Sequence, residues 1–447
     1  MRLHSSLRSR FDQLYRLNTW MRRRFTASGR FLLGVLLFSG ALGVDTRLNL
    51  VHQIFALTLV ALLVALLWAQ RFRGRFQAER RLPKYATVGQ SLRYRVAVTA
   101  LGRRRERGLH LIDELAAAPS VLEPLAHGAG ALPAGGNWFD RKVGYQHWVW
   151  LMGLRIGALE PEGELPDLSP GVAGEAVLEL IPLRRGWLHF SALHLGCPDP
   201  LGLFRGHYRI ARQERLLVLP RRYPLPAVVL PGRRCYQRGG VSFAAHVGDA
   251  EEFIGLRDYR PGDPLRKLHW RAFARTGRPI VREYQEEYLV RHALLLDTFG
   301  APGDTFEAAV SVAASLVARL DQQESLLDLL FVADRLHRLT AGRGVAASTT
   351  LLEGLACVTP TPNRSFAQLA ALVLHHTAEF SGAVCILLDW DGPRRELVGR
   401  LYARGLPLLV LLVSTAHAAA PPDPDPLPVG ALRLLNPTQL AQDLQRL

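Results

Sequence analysis

Residues 48–69, LNLVHQIFALTLVALLVALLWA, run without a charged side chain. A helix of that length can cross the ~30 Å hydrocarbon core of a bilayer. It has no polar face, which an amphipathic helix of a soluble core would show. A second apolar run, FLLGVLLFSGALGV over 31–44, ends just before it, with only Asp45-Thr46-Arg47 between. The first run is short and draws on Arg30, whose stem can lie along the apolar core while its head reaches water. No A-x-A-like cleavage site follows it, which argues against a removed signal. The pattern predicts a transmembrane helical hairpin within residues 30–70.

Charge sets the expected orientation. Arg8, Arg10, Arg16, Arg22, Arg23, Arg24 and Arg30 precede the first run, and Arg71, Arg73, Arg75, Arg80 and Arg81 follow the second. Positive flanks stay cytoplasmic, so both termini are expected there, with residues 1–29 a basic cytoplasmic segment against anionic membrane lipid. Residues 1–81 hold 14 Arg and 3 acids, a net of +11 out of +16 for the whole chain. The body is therefore nearly balanced, and nucleic-acid binding is not expected. The three lysines, Lys84, Lys142 and Lys267, lie outside any G-x-x-x-x-G-K-[ST] pattern, so no phosphate loop of that kind is present. Cys197, Cys235, Cys357 and Cys385 show no C-x-x-C spacing and read as buried structural thiols.

Residues 82–225 alternate short strand-like runs with Gly and Pro breaks. Ser91–Thr99 has period two, with Leu92, Tyr94, Val96 and Val98 on one face. Ala176–Ile181, Trp187–Leu195 and Leu216–Leu219 are similar. Strands without long intervening helices predict a β-sandwich-like domain. Gly128–Asn137 reads as a flexible hairpin tip.

Residues 226–289 form a third section, dense in charge. Within it, acids, arginines and the aromatics Phe253, Tyr259, Trp270 and Phe273 are interleaved. Arginine forks on carboxylates would explain the mixture. Pro261-Gly262-Asp263 is a turn, and 265–275 is expected to be helical. A structural ion-pair network, a docking surface and an acid–base site built on Glu252, Asp258 or Asp263 with His269 are the competing readings.

Residues 290–447 alternate strands with amphipathic helices. Ala293–Leu296, Leu326–Val332, Ala383–Leu388 and Leu408–Val413 are expected strands. Asp304–Leu320, Phe366–Phe380, Pro393–Arg404 and Thr438–Leu447 are expected helices. This predicts an α/β doubly wound domain, with Asp297 and Asp389 at strand ends, where such sheets place ligands.

The segment EEFIGLRDYRPGDPLRKLHWRAFARTGRPIVREYQEE resembles the signature of the bacterial domain-of-unknown-function 58 family, E-F-x-x-L-R-x-Y-x-x-G-D-x-x-R-x-I-x-W-x-x-x-A-R. The match falls on Glu252, Phe253, Leu256, Arg257, Tyr259, Gly262, Asp263, Arg266, Trp270, Ala274 and Arg275, with Leu268 where the family usually has Ile. Upstream, Arg185-Gly186 and Asp199-Pro200-Leu201-Gly202-Leu203-Phe204 are similar to a second family stretch. The resemblance implies a bacterial inner-membrane protein whose 290–447 domain is von Willebrand factor A-like. Such domains bind a divalent ion through D-x-S-x-S. Here the stretch reads Asp297-Thr298-Phe299-Gly300-Ala301, and Phe and Ala supply no oxygen ligand. A degenerate site at Asp297 and Asp389 is expected, with no cofactor beyond a possible Mg²⁺. The resemblance further implies a membrane-tethered cytoplasmic adaptor or scaffold, not an enzyme, whose partner is a MoxR-type AAA+ ATPase, in the assembly or maturation of envelope or membrane complexes. A hydrolase using Glu252, Asp263 and His269, and a ligand-binding module, are the alternatives.

Overall fold

The structure is a computed structural model. It describes residues 13–15, 17–42, 49–72, 74–116, 152–226, 252–263, 265, 268–285, 290–320, 325–341, 345–415, 427–428 and 430–447. The chain divides into two compact units, Met1–Arg221 and Arg222–Leu447.

The first unit begins with helical residues 13–15 and 17–24, then α1 (Ala27–Leu42) and α2 (Asn49–Ala69). The stretch Leu50–Ala69 is long and apolar enough to cross a membrane. At 16 residues, α1 reaches roughly 24 Å, short of a bilayer core by itself. Leu62 and Ala65 of α2 pack near Phe25 and Leu36, while Gly40 lies against the Phe55 ring, so the two helices run antiparallel.

Eight strands follow: β1 (Phe76–Arg81), β2 (Tyr85–Thr87), β3 (Leu92–Ala100), β4 (His110–Ala116), β5 (Glu162–Glu164), β6 (Ala173–Leu180), β7 (Gly186–Pro198) and β8 (Arg205–Leu219). They form two sheets, ordered β1-β3-β6 and β2-β8-β7-β4-β5. Alternation decides which residues face inward. Tyr94, Val96 and Val98 of β3 are buried between exposed Arg93 and Arg95. With Leu178 and Leu180 they share one core with Leu111, Phe190, Leu193, Leu195 and Val218 of the other sheet. The expected Gly128–Asn137 tip lies outside the described residues.

One expectation is corrected here. Arg80, read as part of the basic flank against lipid, is fully buried. Its Nε and Nη2 bind Asp113 at 2.7–3.2 Å, and Nη1 donates to the Arg212 carbonyl at 2.7 Å. The Tyr94 hydroxyl donates to the same carboxylate at 2.7 Å. Arg80 and Tyr94 come from one sheet and Asp113 from the other, so this polar cross-link ties the layers together. Strand β1 was missed because FQAERR reads as a charged flank. Its pairing with β3 puts Phe76, Ala78 and Arg80 inward and Arg81 outward, onto Glu175.

The loop Asp199–Phe204 joins the helices to this β-body. Asp199 Oδ1 accepts the amides of Leu203 and Phe204 at 2.7 Å, and Oδ2 accepts that of Leu201 at 3.0 Å. Thr26 Oγ1 donates to the Gly202 carbonyl at 2.5 Å, and the Phe25 and Phe204 rings lie 4.1 Å apart. A Cβ on Gly29 would come within 2.0 Å of the Leu203 carbonyl oxygen, so only glycine permits this approach.

The second unit contains β9 (Glu252–Asp258), α3 (Trp270–Thr276) and β10 (Ile280–Gln285), followed by a six-stranded sheet. Its strands are β11 (Val290–Leu296), β12 (Ser325–Val332), β13 (Leu336–Ala341), β14 (Gly382–Leu387), β15 (Leu408–Val413) and β16 (Leu432–Leu435). The order is β13-β12-β11-β14-β15-β16, parallel except for the edge strand β13. The helices are α4 (Asp304–Leu320), α5 (Val345–Cys357), α6 (Ala367–His375), α7 (Gly392–Ala403) and α8 (Leu440–Leu444). Strand β14 is buried at every residue, as expected of a parallel strand covered on both faces.

The long helix expected over Phe366–Phe380 stops at His375 and continues as a 3₁₀ turn, Thr377–Glu379. There His376 Nδ1 contacts Glu379 at 2.6 Å and Arg338 at 2.9 Å. Among the cysteines, Cys385 is buried, and burial pushes its thiol up to about 12. Cys197 is only half-buried and Cys357 is exposed, contrary to the uniform burial expected. Cys235 lies outside the described residues.

Candidate interaction site on the signature hairpin

Strands β9 and β10 pair antiparallel, with Glu252 opposite Gln285 at one end and Asp258 opposite Ile280 at the other. The connection between them is held from within. Arg257 places both guanidinium nitrogens on Asp263, Nη1 to Oδ2 at 2.8 Å and Nη2 to Oδ1 at 2.7 Å. Asp263 Oδ2 also accepts the Arg260 amide at 2.9 Å, and these donors hold its carboxyl down at about 2. Gly262 between them has φ 108°, a conformation side chains rarely adopt. The Arg257–Asp263 fork fixes the turn, and Leu268 and Val281 are buried beneath it.

The helix α3 starts at His269, whose Nδ1 accepts the Ala272 amide at 2.9 Å, and ends at Gly277 in the left-handed conformation. None of its residues is buried. Leu256 is 47% exposed, Leu265 65%, Trp270 62% and Phe273 37%. The Trp270 and Phe273 rings meet edge-on at 6.2 Å. Arg260, Arg271, Arg275 and Arg278 are exposed on the same short stretch. Such a surface offers apolar contact with a positive rim, the composition of a protein-binding patch.

The other signature positions fall into place around it. Tyr259 is half-buried, with its amide on the Pro279 carbonyl at 2.9 Å. Glu252 and Phe253 lie at the start of β9, opposite Gln285 and Tyr284. Arg266 lies outside the described residues. The proposed acid–base cluster is not assembled. Glu252 sits at the far end of β9 from Asp263, roughly 20 Å along the strand. His269 spends Nδ1 on the helix cap, and Asp263 is held as an ionised partner of Arg257. The spacing in sequence gave no hint that the strand would separate them.

The two aspartates of the expected metal corner do not fit an ion. Asp297 is fully buried at the end of β11. Its Oδ1 accepts the Phe299 amide at 3.0 Å, and its Oδ2 accepts the Leu388 amide at 3.0 Å and Arg394 Nε at 2.7 Å. Arg394, on α7, also forks onto Asp391 at 2.5 Å and lies 5.0 Å over the Phe366 ring. Asp389 comes two residues after β14, and its Oδ1 accepts the Trp390 amide. Thr298 Oγ1 donates to the Val332 carbonyl at 2.5 Å. The crevice where strand order reverses, between β11 and β14, is thus filled by a guanidinium. Among the described residues no group of three or more His, Cys, Asp or Glu is placed to hold a metal. Sequence reading missed Arg394, since it lies 97 residues from Asp297.

The family described as "Protein of unknown function DUF58" matches residues 255–409, which take in most of the signature hairpin and the sheet from β11 into β15. Over this segment the chain is similar to that family. The uncharacterized protein YeaD of Bacillus subtilis (strain 168) is 29% identical over 141 residues, 31% of this chain and 34% of YeaD. The chain thus spans about a third of the length of that relative. Two kinds of solved structure share local similarity over 32% of this chain. They are a beta-glucosidase from Listeria innocua (12% identity, 16% of that chain, TM-score 0.17) and AvmM, which catalyses macrocyclization in alchivemycin A biosynthesis (12%, 88%, 0.18). At these scores neither fold nor activity carries over.

Proposed function

We propose that this chain is a membrane-tethered cytoplasmic adaptor or scaffold of the bacterial inner membrane. On this reading α1 and α2 form a transmembrane hairpin with both termini cytoplasmic. The arginines that flank both apolar runs support that orientation. The second unit is von Willebrand factor A-like, a reading supported by its strand order, counted within the sheet as 3-2-1-4-5-6 with the third strand antiparallel.

The observation that carries the adaptor reading is the exposure of Trp270, Phe273, Leu256 and Leu265 beside four arginines, on a hairpin locked from within by Arg257 and Asp263. Its occupant is a protein with an apolar pocket and an acidic rim. The partner class is a MoxR-type AAA+ ATPase, which supplies the nucleotide chemistry for which this chain has no phosphate loop. The pair acts in assembling or maturing envelope or membrane complexes.

The test is a photoreactive residue at position 271, introduced into the full chain in its native membrane and activated with Mg²⁺ and a non-hydrolysable ATP analogue present. An adduct to an AAA+ ATPase, lost when the residue is moved to exposed Arg93, is expected. Equal labelling from both positions refutes the assignment of this surface.

A further inference from the structure

The first unit holds a second polar site. A cleft of about 340 Å³ opens between helical residues 13–15 and 17–24 and the β-body, lined by Tyr15, Thr19, Trp20, Arg23, Glu160 and His207 among others. Tyr15, Thr19 and Arg23 recur every four residues, so one helical face closes over the cleft. The other face turns Leu14 and Leu17 outward, each about half exposed. Two residues after the helix ends, Thr26 leads into α1 and the apolar helical pair. If α1 and α2 cross the bilayer, this cleft sits at headgroup depth with its covering helix in the interface.

The polar groups in the cleft are unevenly satisfied. Arg23 Nη1 donates to Glu114 at 2.9 Å and Nη2 to Glu160 at 2.7 Å, while its Nε–H is buried and has no acceptor among the described residues. Glu114 is crowded, since its other oxygen also takes Ser191 at 3.0 Å and Arg209 at 3.2 Å, with His194 Nε2 3.2 Å away. Glu160 has Arg23 alone among the described residues, and burial pushes its carboxyl up. Arg24 also lines the cleft and has no acid within ion-pair distance among the described residues. His207 is half-buried, bonded to His194 at 3.0 Å, and remains neutral. The site therefore presents the Arg24 guanidinium on one side. On the other stands an under-coordinated carboxylate, between the aromatic walls of Tyr15 and Trp20. Its complement is a small zwitterion with an anionic oxygen group and a primary ammonium. A carboxylate prefers an ammonium with N–H donors, which a quaternary headgroup lacks.

We propose that this cleft binds the phosphoethanolamine headgroup of a membrane lipid, the phosphate on Arg24 and the ammonium on Glu160. The proposal rests on the tether reading above. It gives the chain a lipid-specific seat at the root of its anchor, in addition to non-specific attraction of arginines to anionic lipid.

The test reconstitutes the full chain in nanodiscs of equal parts phosphatidylethanolamine, phosphatidylglycerol and phosphatidylcholine. Native mass spectrometry then reads the lipids retained on ejection. Insertion is scored separately by co-elution with the disc, so failure of the tether is seen apart from failure of the cleft. The wild type is expected to insert and to keep phosphatidylethanolamine about tenfold over the other two, a difference of about 1.4 kcal/mol. Glu160→Gln and Arg24→Gln, each checked for an unchanged melting temperature, are expected to insert equally and lose the preference. Equal retention of all three lipids by an inserted wild type overturns the proposal, as does retention of phosphatidylcholine as strong as phosphatidylethanolamine. A preference that survives in both variants overturns the residue assignment. Free phosphoethanolamine, added to delipidated protein in detergent, is expected to raise the melting temperature less than the lipid does. The reverse result would move the site to a soluble ligand.

Discussion

Arg394 donates its Nε–H to Oδ2 of Asp297 at 2.7 Å, and the carboxylate it reaches has no solvent exposure. A fixed guanidinium stands where a doubly wound sheet would present an open crevice. Breaking a buried pair leaves its partner's charge uncompensated, at a cost of about 3–5 kcal/mol. Arg394→Met and Asp297→Asn are each expected to lower stability by that order in denaturant titration. The double variant should recover part of the loss, because neither charge is then stranded. Millimolar Mg²⁺ or Mn²⁺ is expected to leave the wild-type melting temperature unchanged. A rise abolished by Asp297→Asn would show that the corner takes an ion after all.

The cross-link between the two sheets of the first unit gives a second expectation. Tyr94 supplies one of the donors to Asp113, and removing it leaves a buried carboxylate oxygen short of a partner. Tyr94→Phe should cost about 1–3 kcal/mol, and Asp113→Ala about 3–5 kcal/mol, by stranding Arg80. Equal, small effects would mean that Arg80 finds water in the variants.

His207 provides a pH dependence. Desolvation, then His194, Arg24 and Arg23, push its imidazole down to about 4. Glu114 opposes this weakly. The unfolded ring takes a proton near its ordinary value of ~6.5, which the folded ring refuses until about pH 4. Stability from this group is therefore complete above ~6.5 and is lost as pH falls toward 4. The melting temperature of the full chain in detergent should decline across that window. His207→Gln should flatten the decline. A slope unchanged in the variant would assign it to other groups.

Gly29 tests the root of the helical pair. An added methyl would meet the Leu203 carbonyl at 2.0 Å and cannot be accommodated by a side-chain shift. Gly29→Ala is expected to cost about 1–3 kcal/mol and to speed proteolysis next to Thr26. Gly34, which has open space around its Cβ position, is the control, and Gly34→Ala should be neutral. Equal protease sensitivity of the two would show that the Asp199–Phe204 loop does not clamp α1.

How much was legible in the sequence follows from the range of each interaction. Strand β3 and helix α4 were readable because their apolar residues keep a local period, and strand β15 because it is a short continuous apolar run. Strand β1 was not, since the only sign that Arg80 points inward is Asp113, 33 residues away. Helix α5 was missed because VAASTTLLEGLAC mixes β-branched and small residues without a clear stripe. The signature segment was found from its residue pattern and its turn from Pro261-Gly262-Asp263, but its paired strands β9 and β10 were not. That His269 caps a helix was not legible, because a cap and an acid–base group look alike until the helix start is fixed. The Arg23, Glu114 and Glu160 cluster was invisible for the same reason as Arg80: its members are 91 and 137 residues apart.

The adaptor reading is tested most directly by co-purification of the full chain from native membranes in mild detergent, with Mg²⁺ and a non-hydrolysable ATP analogue. Wild type is compared with the double variant Trp270→Ala/Phe273→Ala, whose side chains are exposed and whose melting temperature should not change. A MoxR-type AAA+ ATPase is expected with wild type and lost, at least tenfold, with the variant, a difference of about 1.4 kcal/mol or more. An ATPase that binds both equally, or none under any nucleotide condition, would contradict it.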